Sequence, residues 1–398
     1  MSGHSNNLGA FNLGNNVSGS NNTLIDSNAN NIVGGVFNTL GQFSESNMVS
    51  GGQNTLGMNN TNNVVSGSFN FTGESNIDNI IGGQSNNTGT ANTNNVITGS
   101  GNNTGASNIN NSISGSFNNT GYNNLNNVIT GSANNTGNTN ENNLVSGTGN
   151  FTMDANQNNV VSGSFNNTGA NNSNNLVGGI ANFTGANNFN NLVIGSSNNT
   201  GGTNSNNVVS GANNFTGMNS NNNIIGGAFN NTGANNINNI VGGSNNNLTG
   251  AYITDNLVSG SSNTIGQYST HNSVSGFINT LGTNASFNEV TGINHMIGND
   301  GDFNHVNGLS NVLGIEAVGN TVNGGQNTLG NDSQFNNVNG LNNILGNSNG
   351  LNTVGGSSNT LGDYIGASTV IGQRNTVAGG AYNDIQSDII IHGYAGRY

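Results

Sequence analysis

One pattern, Asn-x-Val-x-Gly, returns every 16 residues along this chain of 398. It stands at Asn15/Val17/Gly19, Asn31/Val33/Gly35, Asn47/Val49/Gly51 and Asn63/Val65/Gly67, and keeps step as far as Asn239. One residue is inserted near Asn245–Leu248, after which the register resumes at Asn256 and ends with Ser368/Val370/Gly372. There are 15 copies before the insertion and 8 after it, 23 in all, so almost nothing lies outside the array. Positions within a copy are numbered here from 0 at its first Asn. A shorter motif follows at positions 7 to 10, as in Asn38-Thr39-Leu40-Gly41, Asn118-Asn119-Thr120-Gly121 and Asn327-Thr328-Leu329-Gly330. Two short β-branched segments punctuated by Gly, at a fixed period below 20 residues, are the signature of a β-solenoid. The Gly and Asn content and the missing 3.6-residue periodicity exclude helix. The fold class expected is all-β, a single β-solenoid of about 23 coils with a 16-residue repeat.

Strand alternation assigns the side chains. Positions 0, 2 and 4 share one face of a strand and positions 7 and 9 share one face of the next, and both are read as inward. Coils stacked about 4.8 Å apart place each Asn over its copy, so amides can hydrogen-bond along the stack. The expected ladders run through Asn63, Asn79, Asn95, Asn111 and Asn127 at position 0 and through Asn118 and Asn166 at position 7. Val65, Ile81 and Ile97 supply an apolar column at position 2. Glycines at positions 4 and 10 are expected to take positive φ at corners. Proline, which would remove ladder donors, is absent.

Only at this point does composition speak. The 103 asparagines are about a quarter of the chain, which would suit a disordered tract, but residues of fixed place are not low complexity. Lys, Arg, Asp and Glu together number 17, where about 100 would be usual. Two arginines and no lysine cannot neutralise a phosphate backbone, which excludes nucleic acid as a partner. Without Cys there is no thiolate chemistry and no cysteine-ligated metal. No apolar run reaches the ~20 residues of a membrane span, and the first residues do not read as a signal peptide.

The array has zones. Residues 1–14 form a half coil. Copies within 15–62 carry Leu at position 9 (Leu24, Leu40, Leu56), those within 63–245 carry Thr from Thr72 to Thr232, and those within 246–383 return to Leu, Ile or Val. Residues 384–398 depart from the repeat and are read as a cap or assembly segment. Position 1 changes in the opposite sense. In the Thr zone it is Val64, Ile80, Val96, Val128, Leu144, Val160, Leu176, Leu192, Val208, Ile224 and Ile240, with Ser112 the exception. If position 1 points outward, these form an aliphatic stripe that something must cover, a lateral seam between copies of the chain. If it turns inward, it compensates for the smaller Thr.

Few residues could carry chemistry. His271, His295 and His305 fall at positions 15, 7 and 1 and so form no column. The acids, such as Glu74, Asp78, Glu141 and Asp154, are scattered over the variable stretch and read as solvated surface charge. No metal-binding or calcium-loop motif is present, so no metal, cofactor or catalytic residue is assigned. Asn-x-Thr sequons such as Asn118-Asn119-Thr120 and Asn166-Asn167-Thr168 are demanded by the repeat itself, and an inward amide cannot take a sugar. A solenoid also leaves strand edges at its ends, so Leu8, Ile389, Ile390, Ile391, Tyr394 and Tyr398 are candidates for end-to-end contact.

The Asn-x-Val-x-Gly-x-x-Asn unit resembles the Ser-Val-Ala-x-Gly-x-x-Ser repeats of YadA-like trimeric autotransporter adhesin heads. That resemblance implies solenoids packed side by side in an extracellular adhesive head. The period of 16 is longer than the head repeat, and no heptad stalk or C-terminal membrane barrel is read here. The acidic, aliphatic C-terminal segment resembles the uncleaved signals of type I secreted repeat proteins, which implies a cell-surface or extracellular place. The function expected is a structural protein that is not an enzyme, a self-assembling subunit of an extracellular filament or biofilm-matrix fibre. The partner expected is the chain itself, as a homopolymer or side-by-side oligomer. An adhesin head or an ice-binding module with a flat Asn/Thr face is the alternative, with surface glycans or ice as partner.

Overall fold

The computed structural model describes residues 1–379 and 390–392. They form parallel strands and no helix, coiled as a β-solenoid of about 23 turns with a repeat of roughly 16 residues, as the spacing predicts. The chain divides into two compact units, Met1–Ser197 and Asn198–Tyr398.

In the first unit each coil has three sides. Ile80–Gln84, at positions 1 to 5, pairs with Val64–Ser68 and with Val96–Ser100, every residue opposite its copy in the adjoining coil. Asn87–Thr88, at positions 8 and 9, pairs with Phe71–Thr72 and Asn103–Thr104. A third side, absent from the sequence reading, is held by single bridges at position 14, among them Thr61 to Ile77 and Ile77 to Thr93. The second unit repeats this plan. There Ser273–Phe277 lies between Leu257–Ser261 and Glu289–Ile293, and Thr280–Leu281 between Thr264–Ile265 and Met296–Ile297. The extra residue lies at the end of the stretch that the spacing marked. Asn247 and Leu248 still pair in step with Asn231 and Thr232, so the insertion follows Leu248, at the corner that contains Thr249 and Gly250. Ile390–His392 pairs with Thr369, Val370 and Ile371, whereas Ile389, Tyr394 and Tyr398 lie outside the described residues.

The corners explain the asparagines. In the coil beginning at Asn63, the residues at positions 6, 12 and 15 (Phe69, Ser75 and Asp78) all take left-handed φ of 57–60°. Along the strands each N–H donates to the following coil, but these three turn back and donate to Gly52, Met58 and Thr61 of the preceding one. The next residue's N–H then faces the preceding coil as well, where the strand ladder offers it no carbonyl. An Asn side chain supplies the acceptor each time. Asn70, Asn76 and Asn79 donate their N–H to the Oδ1 of Asn54, Asn60 and Asn63, at 3.1, 2.9 and 3.0 Å. The amide nitrogens go to corner carbonyls: Asn70 Nδ2 to Ser66 and Gly83, Asn76 Nδ2 to Gly89, Asn79 Nδ2 to Asn92. Buried peptide groups left without partners cost about 1–3 kcal/mol each, which favours an acceptor side chain at each of the three corners. Positions such as Ala285, Gly301 and Ala317 depart from this.

Amide-to-amide ladders are therefore only part of the picture. They exist at positions 0 and 7, as from Asn111 Nδ2 to Asn95 Oδ1 and from Asn118 Nδ2 to Asn102 Oδ1, both 3.1 Å. At position 13 the side chain serves the backbone instead, as Asn92 does for Gly105. Glycine at position 4 takes the positive φ expected, 101° at Gly67, where a Cβ would strike the carbonyl oxygen of Gly83. It does not face inward, however: that φ breaks the alternation, and Gly67, Gly83 and Gly99 are exposed. Position 10 departs from expectation. Gly57 and Gly73 do not have positive φ; they are Gly because a Cβ would press on the backbone of the following coil.

The core is a set of columns. Val65, Ile81 and Ile97 at position 2 are fully buried, and so are Thr72, Thr88 and Thr104 at position 9. The sequence left open whether position 1 turns inward to compensate for Thr. It does not; position 1 stays on the outside, and the inward residue that varies is at position 13. In the first unit's central coils Thr at position 9 is matched with Asn at position 13, as Thr104 with Asn108. In the second unit Ile297 and Leu313 are matched with Gly301 and Ala317, and a Cβ on Gly301 would strike the Cγ2 of Ile297. The match is not general: Leu24, Leu56 and Leu345 stand with Asn28, Asn60 and Asn349, and Leu361 with Ile365, all buried.

Two outcomes are expected. Asn111→Ala strips the acceptor from Asn127, whose N–H and Nδ2 both use it at 2.8 and 3.1 Å. The substitution should cost about 3 kcal/mol, against within about 0.5 kcal/mol for the exposed Asn103→Ala. Denaturant unfolding, with amide exchange at Asn127, reads both. Thr104→Val should stabilise by about 1 kcal/mol, because the Thr104 hydroxyl is buried with no hydrogen-bond partner. A lower melting temperature for that variant would show that the hydroxyl has a role.

Candidate functional site

What the coils present outward decides what they can do. Positions 1, 3 and 5 of the long strand share the outer face, because alternation sends positions 0 and 2 inside. In the first unit Val64, Ile80, Val96, Val128, Leu144 and Leu176 are between 37% and 48% exposed, and Val160 and Leu192 are half-buried. Ile32 and Met48 extend the stripe toward the N-terminus, beyond the zone in which it was read. In the second unit Ile224 and Ile240 are exposed and Val208 is half-buried, and Leu257 continues their column. The residues proposed for ladders lie elsewhere: Asn63, Asn79, Asn95, Asn111, Asn127, Asn118 and Asn166 are all inside, and none is available to a partner. The Thr at position 9 is inside too. An outward rank of those threonines, which ice binding requires, is therefore not formed. Burial also withdraws Asn118 and Asn166 as sugar acceptors. Leu8 stands exposed on the first coil.

The third inward column, at position 13, was missed. Its signal is plain in the chain: Asn60, Asn76, Asn92, Asn108, Asn124, Asn140, Asn156, Asn172, Asn188 and Asn204 recur without a break. It escaped notice because Ser, Ala, Gly or Ile occupies many of the flanking copies.

The ionisable groups are stacked between coils rather than gathered. His305 Nδ1 lies 3.0 Å from Glu289 Oε2, and His271 Nε2 lies 3.7 Å from Asp255 Oδ2. His271, Phe287 and Phe303 stack ring on ring at 4.7 and 4.8 Å. Asp300, Glu316 and Asp332 occupy position 12 of successive coils. The Glu316 carboxyl is raised above its ordinary value, first by a hydrogen bond with Asp332 and then by the Asp332 charge. Among the described residues no group of three or more His, Asp or Glu could hold a metal ion.

His295 is the exception, because it sits inside. It replaces Asn at position 7 and reproduces both functions of the amide. Its N–H donates to Asn279 Oδ1, its Nδ1 accepts the N–H of Asn311 at 3.2 Å, and its Nε2 lies 3.1 Å from the carbonyl of Thr291. That pattern requires a neutral ring protonated on Nε2. Burial lowers the His295 pKa, opposed by the backbone bonds of Thr291 and Gly308. Protonation would remove the acceptor that Asn311 uses.

No protein-family model matches the chain, and no curated protein does. Among solved structures it is similar to a UDP-N-acetylglucosamine O-acyltransferase from Moraxella catarrhalis. The identity is 15% and the TM-score 0.12, over 53% of this chain and 66% of that one. A polySia-specific acetyltransferase, NeuO, aligns at 11% identity and TM-score 0.08 over 51% and 78%. Likeness at these scores carries no argument about this chain. The neighbours found are titled as acyltransferases, contrary to the expectation that this chain is not an enzyme, and that expectation is withdrawn. Neither is a YadA-like adhesin head, and what that resemblance implied beyond a solenoid gains no support here.

A folded-state pKa below the unfolded value means that the unfolded chain binds more protons in acid. Stability should therefore be fully present above about pH 6.5 and fall as pH drops below it. His295→Asn, which restores the repeat, should flatten that decline in pH-dependent melting. An unchanged profile would remove His295 as its source.

Proposed function

We propose that the chain is a structural scaffold, a self-assembling subunit of an extracellular filament or matrix fibre. One observation carries this reading. In each unit the same coil, with its inward Asn columns and coil-to-coil backbone bonds, recurs with hardly a change, so nearly every residue serves to build a long regular surface. Rigidity follows, because the corners, usually the mobile part of a chain, are tied to the preceding coil by amides buried from water. Outward aliphatic residues on a chain otherwise so polar supply surfaces on which copies can meet. Free of Cys and poor in ionisable groups, the chain is chemically suited to persist outside the cell.

Negative-stain microscopy of the purified chain, at several concentrations, is the test. Fibres many times longer than one molecule are expected. Isolated particles at every concentration would overturn the reading.

A further inference from the structure

One face of the first unit joins an absence of charge to an unusually continuous aliphatic column. The chain carries a net charge of −13, so two copies repel wherever their acids approach. In Met1–Ser197 the six acids are Asp26, Glu45, Glu74, Asp78, Glu141 and Asp154. All fall at positions 11, 14 or 15, on the stretch that holds the third side of the coil. Over the eleven coils from Ile32 to Ser196, positions 1, 3 and 5 contain no charged residue. Position 1 is aliphatic in all but one of them, Ser112 excepted, and every aliphatic is exposed or half-buried. Positions 3 and 5 are mostly Ser, Thr or Gly, as in Thr130 and Ser132. The face is therefore a straight aliphatic ridge beside a shallow trough of small residues.

We propose that this face pairs with the same face of a second copy. The pairing axis is a two-fold running parallel to the direction in which the coils stack. That operation reverses the strand direction and keeps the stacking direction. It lays the position-1 ridge of each copy against the position-5 column of the other, with position 3 on the axis. A two-fold across the stack would instead set ridge on ridge. Isologous contact of this kind is the commonest way in which identical chains associate. The area is adequate. Ten steps of about 4.8 Å along the stack and about 16 Å across a five-residue strand give about 800 Å² per copy. A stable interface of standard size needs about that much. The common repeat lets every coil meet its counterpart in phase, and no charge is buried in doing so. This pairing rests on the scaffold reading only in that it supplies that reading's lateral contact.

The test uses the full chain. Sedimentation equilibrium of the wild type should give a dimer or multiples of it. Val128→Asp, Leu144→Asp and Leu176→Asp combined should reduce it to monomer, with circular dichroism unchanged because all three side chains point outward. The absence of Cys allows a second measurement that does not depend on weakening the interface. Thr130→Cys, on the axis, should be linked into dimers by a short bismaleimide. Thr93→Cys, on the third side, should not. A wild type that stays monomeric at ~100 µM overturns the pairing, as does a dimer that survives the three charges or links equally through both cysteines. Dimers without fibres would overturn the scaffold reading and leave the interface standing. Fibres that persist in the triple variant, with the dimer lost, would support the interface and assign fibre growth to other contacts.

Discussion

Everything in this fold depends on one hydrogen-bonding difficulty at the corners. A coil of 16 residues must turn three times, and each turn uses a residue of left-handed φ that sends two successive N–H groups toward the preceding coil. The first finds a carbonyl. The second does not, and it is buried. Asn is the side chain that answers this, since its short stem places a carbonyl where the peptide lacks one and returns an N–H to the corner carbonyls. Asp would lack the donor, Gln would overreach, and Ser bonds only weakly, as the 3.3 Å contact from Asn60 N–H to Ser44 Oγ shows. Three corner positions in each coil of 16 account for most of an Asn content of about a quarter, and the remaining asparagines lie on the outside.

The remaining features follow from that frame. Apolar burial runs through positions 2 and 9, and position 13 joins it in some coils of the second unit, as at Ile253, Ala285, Ala317 and Ile365. Where position 13 is Gly301, a Cβ would strike Ile297. His295 shows how far the chemistry can be varied: an imidazole can replace the amide, but only while neutral, so a pH dependence enters where none of the Asn columns has one. Outside, the first unit keeps its acids to the third side and the corners that flank it, away from both strand sides.

The solenoid itself was legible in the sequence. Asn-x-Val-x-Gly at a period of 16, with no proline, left no other fold that could use it, and alternation placed Asn63, Val65 and Asn118 inside correctly. The outward stripe could be read as a pattern, though not as a surface. Whether Val64 and Ile80 faced solvent or turned inward beside the smaller Thr72 and Thr88 was a question of how the coil closes, which the order of residues does not give. The inward amides at position 13 were hidden for a related reason. Periodicity was sought on strands, and this column sits at a corner where strand alternation does not apply.

By itself, then, the sequence determined the period and the inward faces at positions 0, 2, 7 and 9, because these follow from local alternation. Only the tertiary structure decided why the residues are Asn, since the N–H groups they satisfy belong to the adjoining coil. It also decided that position 10 is Gly for want of room rather than for its φ, that the insertion follows Leu248, and that the aliphatic column of the first unit lies open on an uncharged face. Each is a relation between residues about sixteen apart, and no single coil contains it.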